Sequence, residues 1–135
     1  MQSFRRLRVW ERAHQFALDV RRATQSFPRS GYAELKSQLI IAAESIAANI
    51  VEGAAASSRK EFARFLDISI KSTSEVEYHL QLALDNGVML PSKWKELSDE
   101  VVEIRRMLCG LRKAVLKADR DEENGEDSEQ RNRGN

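Results

Sequence analysis

The chain has 135 residues, and its 41% hydrophobic content is enough for the core of one folded domain. This composition excludes a disordered or fibrous protein. Twenty-two lysines and arginines balance twenty-one acidic residues, so the formal net charge of +1 indicates neither a nucleic-acid nor a membrane partner. No apolar run reaches the roughly 20 residues of a membrane span. One cysteine, Cys109, and no secretory leader together predict a cytoplasmic location.

Prolines and glycines divide the chain into four segments whose apolar residues recur at helical spacing. Pro28 with Gly31, then Gly53, then Gly87 with Pro91 separate these segments. No sustained alternation of apolar and polar residues indicates a strand. The predicted helices cover about residues 8–26, 32–53 and 58–86, and a fourth begins near residue 92.

Local signals at the helix ends support this division. Ser58 followed by Glu61 is a capping box, in which each side chain accepts a hydrogen bond from the other residue's backbone amide. Gly87 is predicted to end the third helix in a left-handed conformation, and Ser92 to cap the fourth. Because the connecting loops are short, we expect an all-α, antiparallel, up-down-up-down four-helix bundle.

The apolar pattern stops near the C-terminal end. The last residues are mostly acidic and polar, and such a composition cannot bury enough surface to become ordered. We therefore assign residues 1–118 to the bundle and residues 119–135 to a flexible, disordered acidic tail.

The second helix carries a strip of polar residues between two apolar faces. Asn49 and Glu52 lie in a segment that is too apolar to be simply solvent-facing. We therefore expect both residues to form buried hydrogen bonds that fix the register between helices. A catalytic role for Glu52 is the alternative, although no acid, base or metal partner accompanies it. The strip and the glycine that ends it are Gln38, Ser45, Asn49, Glu52 and Gly53.

The same helix has more apolar residues than one core stripe requires. The additional apolar residues exceed what a single bundle core can cover, and an exposed apolar face favours a partner subunit. The sequence therefore predicts a homo-oligomer with this face as its interface. The candidate interface residues are Ile40, Ile41, Ala47 and Val51.

Arginines concentrate near the N-terminus. Residues 1–29 contain seven arginines against Glu11 and Asp19, and arginine suits bidentate contact with phosphate. The alternative is that these arginines pair with acidic residues of neighbouring helices or subunits. The candidate contacts to RNA or DNA are Arg5, Arg6, Arg8, Arg12 and Arg22.

Metal and enzyme chemistry have little support in the sequence. Glu11 and His14 form one Glu-x-x-His motif, but a di-iron bundle needs two, and the only other histidine, His79, follows Val76 at that spacing. One cysteine and two histidines do not make a zinc site. We expect no metal, no cofactor and no enzymatic activity.

Five short motifs occur in order along most of the chain. They are L-x-V-W-x-x-A from Leu7, F-P at Phe27, Q-L-x-x-A-A-x-S-I-x-x-N-I-x-E-G from Gln38, S-x-K-E-F-x-R-F-L from Ser58 and S-x-x-E-x-E from Ser72. With these motifs the sequence resembles the four-helix-bundle proteins encoded in intervening sequences of bacterial 23S rRNA genes. The resemblance implies a compact bundle that assembles as a pentameric ring without established enzymatic activity.

A distant branch of that family contains accessory proteins of diversity-generating retroelements, which bind nucleic acid and a reverse transcriptase. The sequence departs from the family pattern where Ile40 and Ile41 replace an arginine pair, Ala47 replaces a proline and Lys71 replaces a glycine. Loss of two cations favours an oligomer interface over nucleic acid. We therefore expect a homo-oligomeric binding module, with a nucleic-acid accessory protein, whose partner is ribosomal RNA or a reverse transcriptase, as the alternative.

Overall fold

A computed structural model describes residues 3–134 of the chain. These residues form four α-helices and two short 3₁₀ turns. No strand occurs within these residues, so the all-α prediction is confirmed. The turns are Phe4–Arg6 and Thr24–Ser26, on either side of the first helix. The helices are α1 (Arg8–Ala23), α2 (Ala33–Ala54), α3 (Arg59–Asp85) and α4 (Pro91–Arg133).

The four helices form a closed bundle. Each packs against the next along the chain, and α4 returns to pack against α1. Salt bridges show the antiparallel direction of α3 and α4, since Glu77 meets Arg105 whereas the earlier Asp67 meets the later Arg112. The interior is apolar and draws on every helix. Its largest fully buried side chains include Phe16, Leu39, Ile46, Ile50, Leu66, Leu80, Ile104 and Leu108.

The ends of α3 follow the sequence signals closely. Ser58 Oγ accepts a hydrogen bond from the Glu61 backbone amide at 3.1 Å, which confirms the cap. The Glu61 carboxylate binds Arg64 instead of returning to the serine amide, so only half of the capping box forms. At the other end Gly87 has φ of +72°, and the Val88 amide donates to the Ala83 carbonyl at 3.0 Å. This Schellman arrangement confirms the predicted role of Gly87.

The start of α4 differs from the prediction. Leu90 is the N-cap residue and Pro91 is the first helical residue, so Ser92 lies inside the helix and caps nothing. Proline is well suited to this position because its fixed φ matches a helix and its missing amide hydrogen would have had no partner there.

The predicted disordered tail is helical, so this expectation is wrong for residues 119–133. The helix is already nucleated, and each further residue adds a backbone hydrogen bond at little cost. In addition, Glu122 pairs with Arg59, and Glu123 lies 3.3 Å from Lys60 at the start of α3. Residues 1, 2 and 135 of the predicted domain and tail lie outside the described residues.

A membrane span would need a helix that is both long and sufficiently apolar. None of the helices within residues 3–134 meets this requirement.

Candidate functional site

Small hydroxyl side chains join α2 to α3 at mid-helix. The hydroxyls of Ser45 and Ser72 share a hydrogen bond of 2.9 Å, and Ser69 Oγ donates to the Ile46 carbonyl at 2.8 Å. Asn49 Nδ2 donates to the Ser45 carbonyl and, at 3.0 Å, to its hydroxyl. Asn49 therefore supports the α2–α3 contact through Ser45, one turn earlier on its own helix. The residues on α3 that complete this network could not be paired with α2 from the sequence alone.

The other members of the predicted polar strip have different surroundings. Gly53 is buried against α3, whereas Gln38 and Glu52 are exposed. Glu52 has no hydrogen-bond partner among residues 3–134, so the expected buried bond is wrong for this residue. Its position directly opposite the apolar stripe of α2 explains the difference, because no neighbouring helix covers that side. The strip is thus a packing element at Ser45, Asn49 and Gly53.

The second apolar face of α2 is covered in part by the bundle itself. Ala47 is only 8% exposed and belongs to the core, while Ile40 and Val51 are half-buried. The expectation that one core cannot cover these residues is therefore wrong for Ala47. Ile41 is different, because its side chain is 58% exposed on the outer side of the helix.

A second exposed apolar region lies in the groove between α3 and α4. Tyr78 is 63% exposed and Val102 is 44% exposed on the two sides of this groove. Neither residue was predicted from the sequence. Each is an apolar residue outside the apolar stripe of its helix, and that position is the signal that could have identified it. Between them lie Trp94 and Ser98, whose Nε1 and Oγ atoms are buried without a hydrogen-bond partner in the described part of the chain.

Two of the five candidate arginines form salt bridges with carboxylates of the same chain. Arg12 donates to Glu100 through Nε at 2.9 Å and through Nη2 at 2.8 Å, which ties α1 to α4. The hydrogen bond that Arg12 donates to the Glu100 carboxylate raises the pKa of Arg12, and burial opposes this shift. Arg22 lies 3.6 Å from Asp19 on its own helix. The alternative of pairing with a neighbouring helix therefore describes Arg12, whereas Arg22 pairs within its own helix.

The remaining three candidates lie together before and at the start of α1. Arg5, Arg6 and Arg8 are exposed, and none forms an ion pair within residues 3–134. The Arg5 guanidinium lies 4.6 Å from the ring centroid of Phe4, whose edge packs on Trp10 at 4.8 Å. This cation–π contact holds Arg5 against an aromatic pair while leaving its charge at the surface. We refer to Arg5, Arg6 and Arg8 as the N-terminal arginine cluster.

The residues of the half di-iron motif do not point into the bundle. Glu11 and His14 are both exposed on α1, and the imidazole of His14 stacks on the indole of Trp10 at 5.1 Å. A di-iron site requires ligands that face the core from several helices. In the part of the chain that the structure describes, no group of three or more histidine, cysteine or acidic side chains is placed to hold a metal ion.

Comparison with known families gives one match that spans most of the bundle. The family of 23S rRNA-intervening sequence proteins matches residues 5–110. The chain belongs to this family. The match includes the N-terminal arginine cluster, Ile41 and the α3–α4 groove, and it ends before the last part of α4.

The fold of this 23S rRNA-intervening sequence protein is also found in a solved structure. A crystal structure of a protein of unknown function from the S23 ribosomal protein family of Bacteroides thetaiotaomicron VPI-5482 is similar, with a TM-score of 0.71 and 24% identity. The similarity covers 78% of this chain and 98% of that chain. Among curated protein sequences, none matches this chain. The comparisons therefore establish the family and the fold.

Proposed function

We propose that this 23S rRNA-intervening sequence protein is a non-enzymatic, homo-oligomeric assembly and binding module that forms a pentameric ring in the cytoplasm. The observation that carries the proposal is the exposure of Ile41, 58%, on a helix whose other large apolar residues are buried or half-buried. Burial of the exposed part of this side chain in a partner stabilises an assembly by roughly 1–2 kcal/mol. Tyr78 and Val102 add a second exposed apolar region. The number of subunits follows the family resemblance.

The non-enzymatic part of the proposal rests on Glu52, the one candidate catalytic carboxylate. A general acid or base needs a partner within hydrogen-bonding distance or an environment that shifts its pKa. Glu52 is exposed and has no hydrogen-bond partner in the described part of the chain.

The free thiol of Cys109 supports the cytoplasmic location.

Light scattering coupled to size exclusion across a dilution series tests the assembly. A mass that is a multiple of the 15.4 kDa chain and persists on dilution supports it. A single 15.4 kDa species at every concentration contradicts it. The variant Ile41→Arg should lower the mass because a charged side chain cannot be buried without a partner.

A nucleic-acid-binding accessory protein is the second candidate function. It is favoured by the N-terminal arginine cluster, whose three cations are exposed and form no ion pair among the described residues. RNA or DNA phosphates suit such a cluster because arginine contacts two phosphate oxygens at once. Ring assembly would repeat the cluster and strengthen weak contacts through avidity. A reverse transcriptase is the protein partner that the family resemblance implies for this second function.

Filter binding of a single-stranded RNA at low salt tests this second function. Replacing Arg5, Arg6 and Arg8 together by alanine should abolish retention, whereas the matched triple variant Arg21→Ala, Arg22→Ala, Arg29→Ala should retain the RNA. The wild type should lose affinity with a slope of about 0.7 per phosphate contact in log affinity against log salt. Equal retention by both triple variants would contradict the assignment of this cluster.

A further inference from the structure

Three aromatic rings lie in contact along the outer side of α1 and the turn before it. The ring centroids of Phe4 and Trp10 are 4.8 Å apart with the planes at 65°, so an edge meets a face. The next contact is parallel, because the rings of Trp10 and His14 lie 5.1 Å apart with their planes only 10° from each other. We call Phe4, Trp10 and His14 the α1 aromatic row.

His14 is the exposed end of this row. Its side chain is exposed, whereas Phe4 and Trp10 are half-buried. One face of the imidazole is covered by the indole, and no second aromatic ring stacks on the other face within residues 3–134. Leu18 lies one turn further along the same side of α1 and is 38% exposed. The outer face of His14 is therefore open to a flat ligand, with an apolar side chain beside it.

The charges near the row differ between its two ends. The N-terminal arginine cluster lies at the Phe4 end, where the Arg5 guanidinium is 4.6 Å from the Phe4 ring centroid. At the other end, the exposed carboxylate of Glu11 is one turn before His14 on α1. A carboxylate repels a phosphate group, so an anion is disfavoured beside His14. The whole surface thus suits a ligand that is anionic at one end and flat and uncharged at the other.

A single strand of nucleic acid has both of these parts. Its phosphates suit arginine, and its bases stack on aromatic side chains whatever their sequence. In a duplex the faces of each base are covered by neighbouring bases, so only an unpaired base can stack on a protein ring.

We propose that the outer face of His14 binds an unpaired base of a single-stranded nucleic acid whose phosphates contact the N-terminal arginine cluster. This inference rests on the second candidate function and identifies the form of nucleic acid that the surface binds. Trp10 and Phe4 support the imidazole from behind, so the base meets a ring that is already held in place. RNA and DNA strands should bind alike, because stacking does not involve the 2′-hydroxyl group.

Proton NMR of the wild-type chain reports base stacking directly, because the ring current of a stacked base moves the imidazole signals upfield. The chain contains two histidines, His14 and His79, and the variant His14→Gln assigns their signals. A short single-stranded adenylate, as RNA or as DNA, should move the His14 signals upfield and leave those of His79 in place. Inorganic polyphosphate has the charge without the bases and should cause no upfield shift. Equal shifts with adenylate and polyphosphate would show a phosphate contact only and overturn the proposal.

Filter binding of the same adenylate RNA measures the contribution of the stacked base. His14→Ala should weaken binding of the single strand by about 5-fold or more and leave binding of a fully paired duplex unchanged. His14→Phe should restore the affinity, because a phenyl ring keeps a stacking face and has no charge. Equal losses in His14→Ala and His14→Phe would overturn the stacking role. Tyr78→Ala removes another exposed ring, on α3, and is the matched control that should bind as the wild type does.

The outcomes separate this inference from the function on which it rests. No RNA binding by the wild type would overturn both the stacking and the second candidate function. Binding that the triple variant Arg5→Ala, Arg6→Ala, Arg8→Ala abolishes and His14→Ala leaves unchanged would overturn the stacking alone. His14 and Tyr78 are exposed, so circular dichroism should show that their variants keep the wild-type helicity.

Discussion

Gly53 of α2 lies directly against the ring of Phe62 on α3. A Cβ atom on Gly53 would stand 2.8 Å from Phe62 Cδ1 and 3.2 Å from Phe65 Cβ. Both distances are shorter than the roughly 3.5–4.0 Å of a favourable carbon–carbon contact. The two helices can approach this closely only because position 53 has no side chain. The glycine of the N-I-x-E-G motif is thus a packing residue.

Replacing Gly53 by alanine should lower the free energy of unfolding by about 1–3 kcal/mol, because the Phe62 ring must leave its place in the core. Urea denaturation followed by circular dichroism measures this change. Gly110 is the matched control, since it lies within α4 and a Cβ atom added there would have no neighbouring atom within 4 Å. Gly110→Ala should raise stability by about 0.5–1 kcal/mol. Equal effects of the two substitutions would contradict the packing role of Gly53.

The bidentate pair of Arg12 with Glu100 ties α1 to α4. Both side chains are about a third exposed, 36% and 32%, so solvent screens their attraction. A double-mutant cycle with Arg12→Ala and Glu100→Gln should give a coupling energy of about 0.5–1 kcal/mol that decreases as salt is added. A coupling energy of zero at low salt would show that the pair does not stabilise the contact.

Two surface carboxyls should titrate at unusually low pH. The hydrogen bond from Arg64 lowers the pKa of Glu61, and that from Arg106 lowers the pKa of Glu103. A carboxyl with a lower pKa in the folded than in the unfolded state stabilises the fold above its unfolded pKa, and this contribution is lost as pH falls through the folded pKa. Carbon-detected NMR titration should place both midpoints below the ordinary range of a glutamate carboxyl. Arg64→Ala should return Glu61 to the ordinary range, and an unchanged midpoint in that variant would contradict the assigned cause.

The acidic end of α4 should contribute helicity and little stability. Truncation after Ala118 removes the pairs of Glu122 with Arg59 and of Glu123 with Lys60, which are exposed and worth about 0–1 kcal/mol each. The helical circular dichroism signal should fall in proportion to the fraction of the helical residues that lies in 119–133. The midpoint of urea denaturation should change little. The full-length variant Glu122→Gln, Glu123→Gln controls for the lost charge and should keep most of its helicity. An unchanged total helical signal after truncation would show that this segment is disordered.

The sequence predicted the helices well because their ends are set by local chemistry. Gly87, Ser58 and Pro91 act within a few residues of the positions where helices start or stop. The end of α4 was predicted wrongly, because composition shows that a segment lacks a core face and not that it continues an existing helix.

The candidate sites were harder to predict because they depend on neighbours distant in the chain. Arg12 meets Glu100, 88 residues later, and Ser45 meets Ser72 on the next helix. Periodicity places each side chain on a face of its own helix, but it does not identify the opposing residue. The same limit applies to Glu52 and Ala47. Whether each side chain is buried depends on which sides of α2 face α1 and α3.

The proposed assembly is tested most directly by native mass spectrometry of the wild-type chain. We expect a dominant species of five 15.4 kDa chains, and a loss of that species in the Ile41→Arg variant. A dominant 15.4 kDa species for the wild type under conditions that preserve known oligomers would contradict the account.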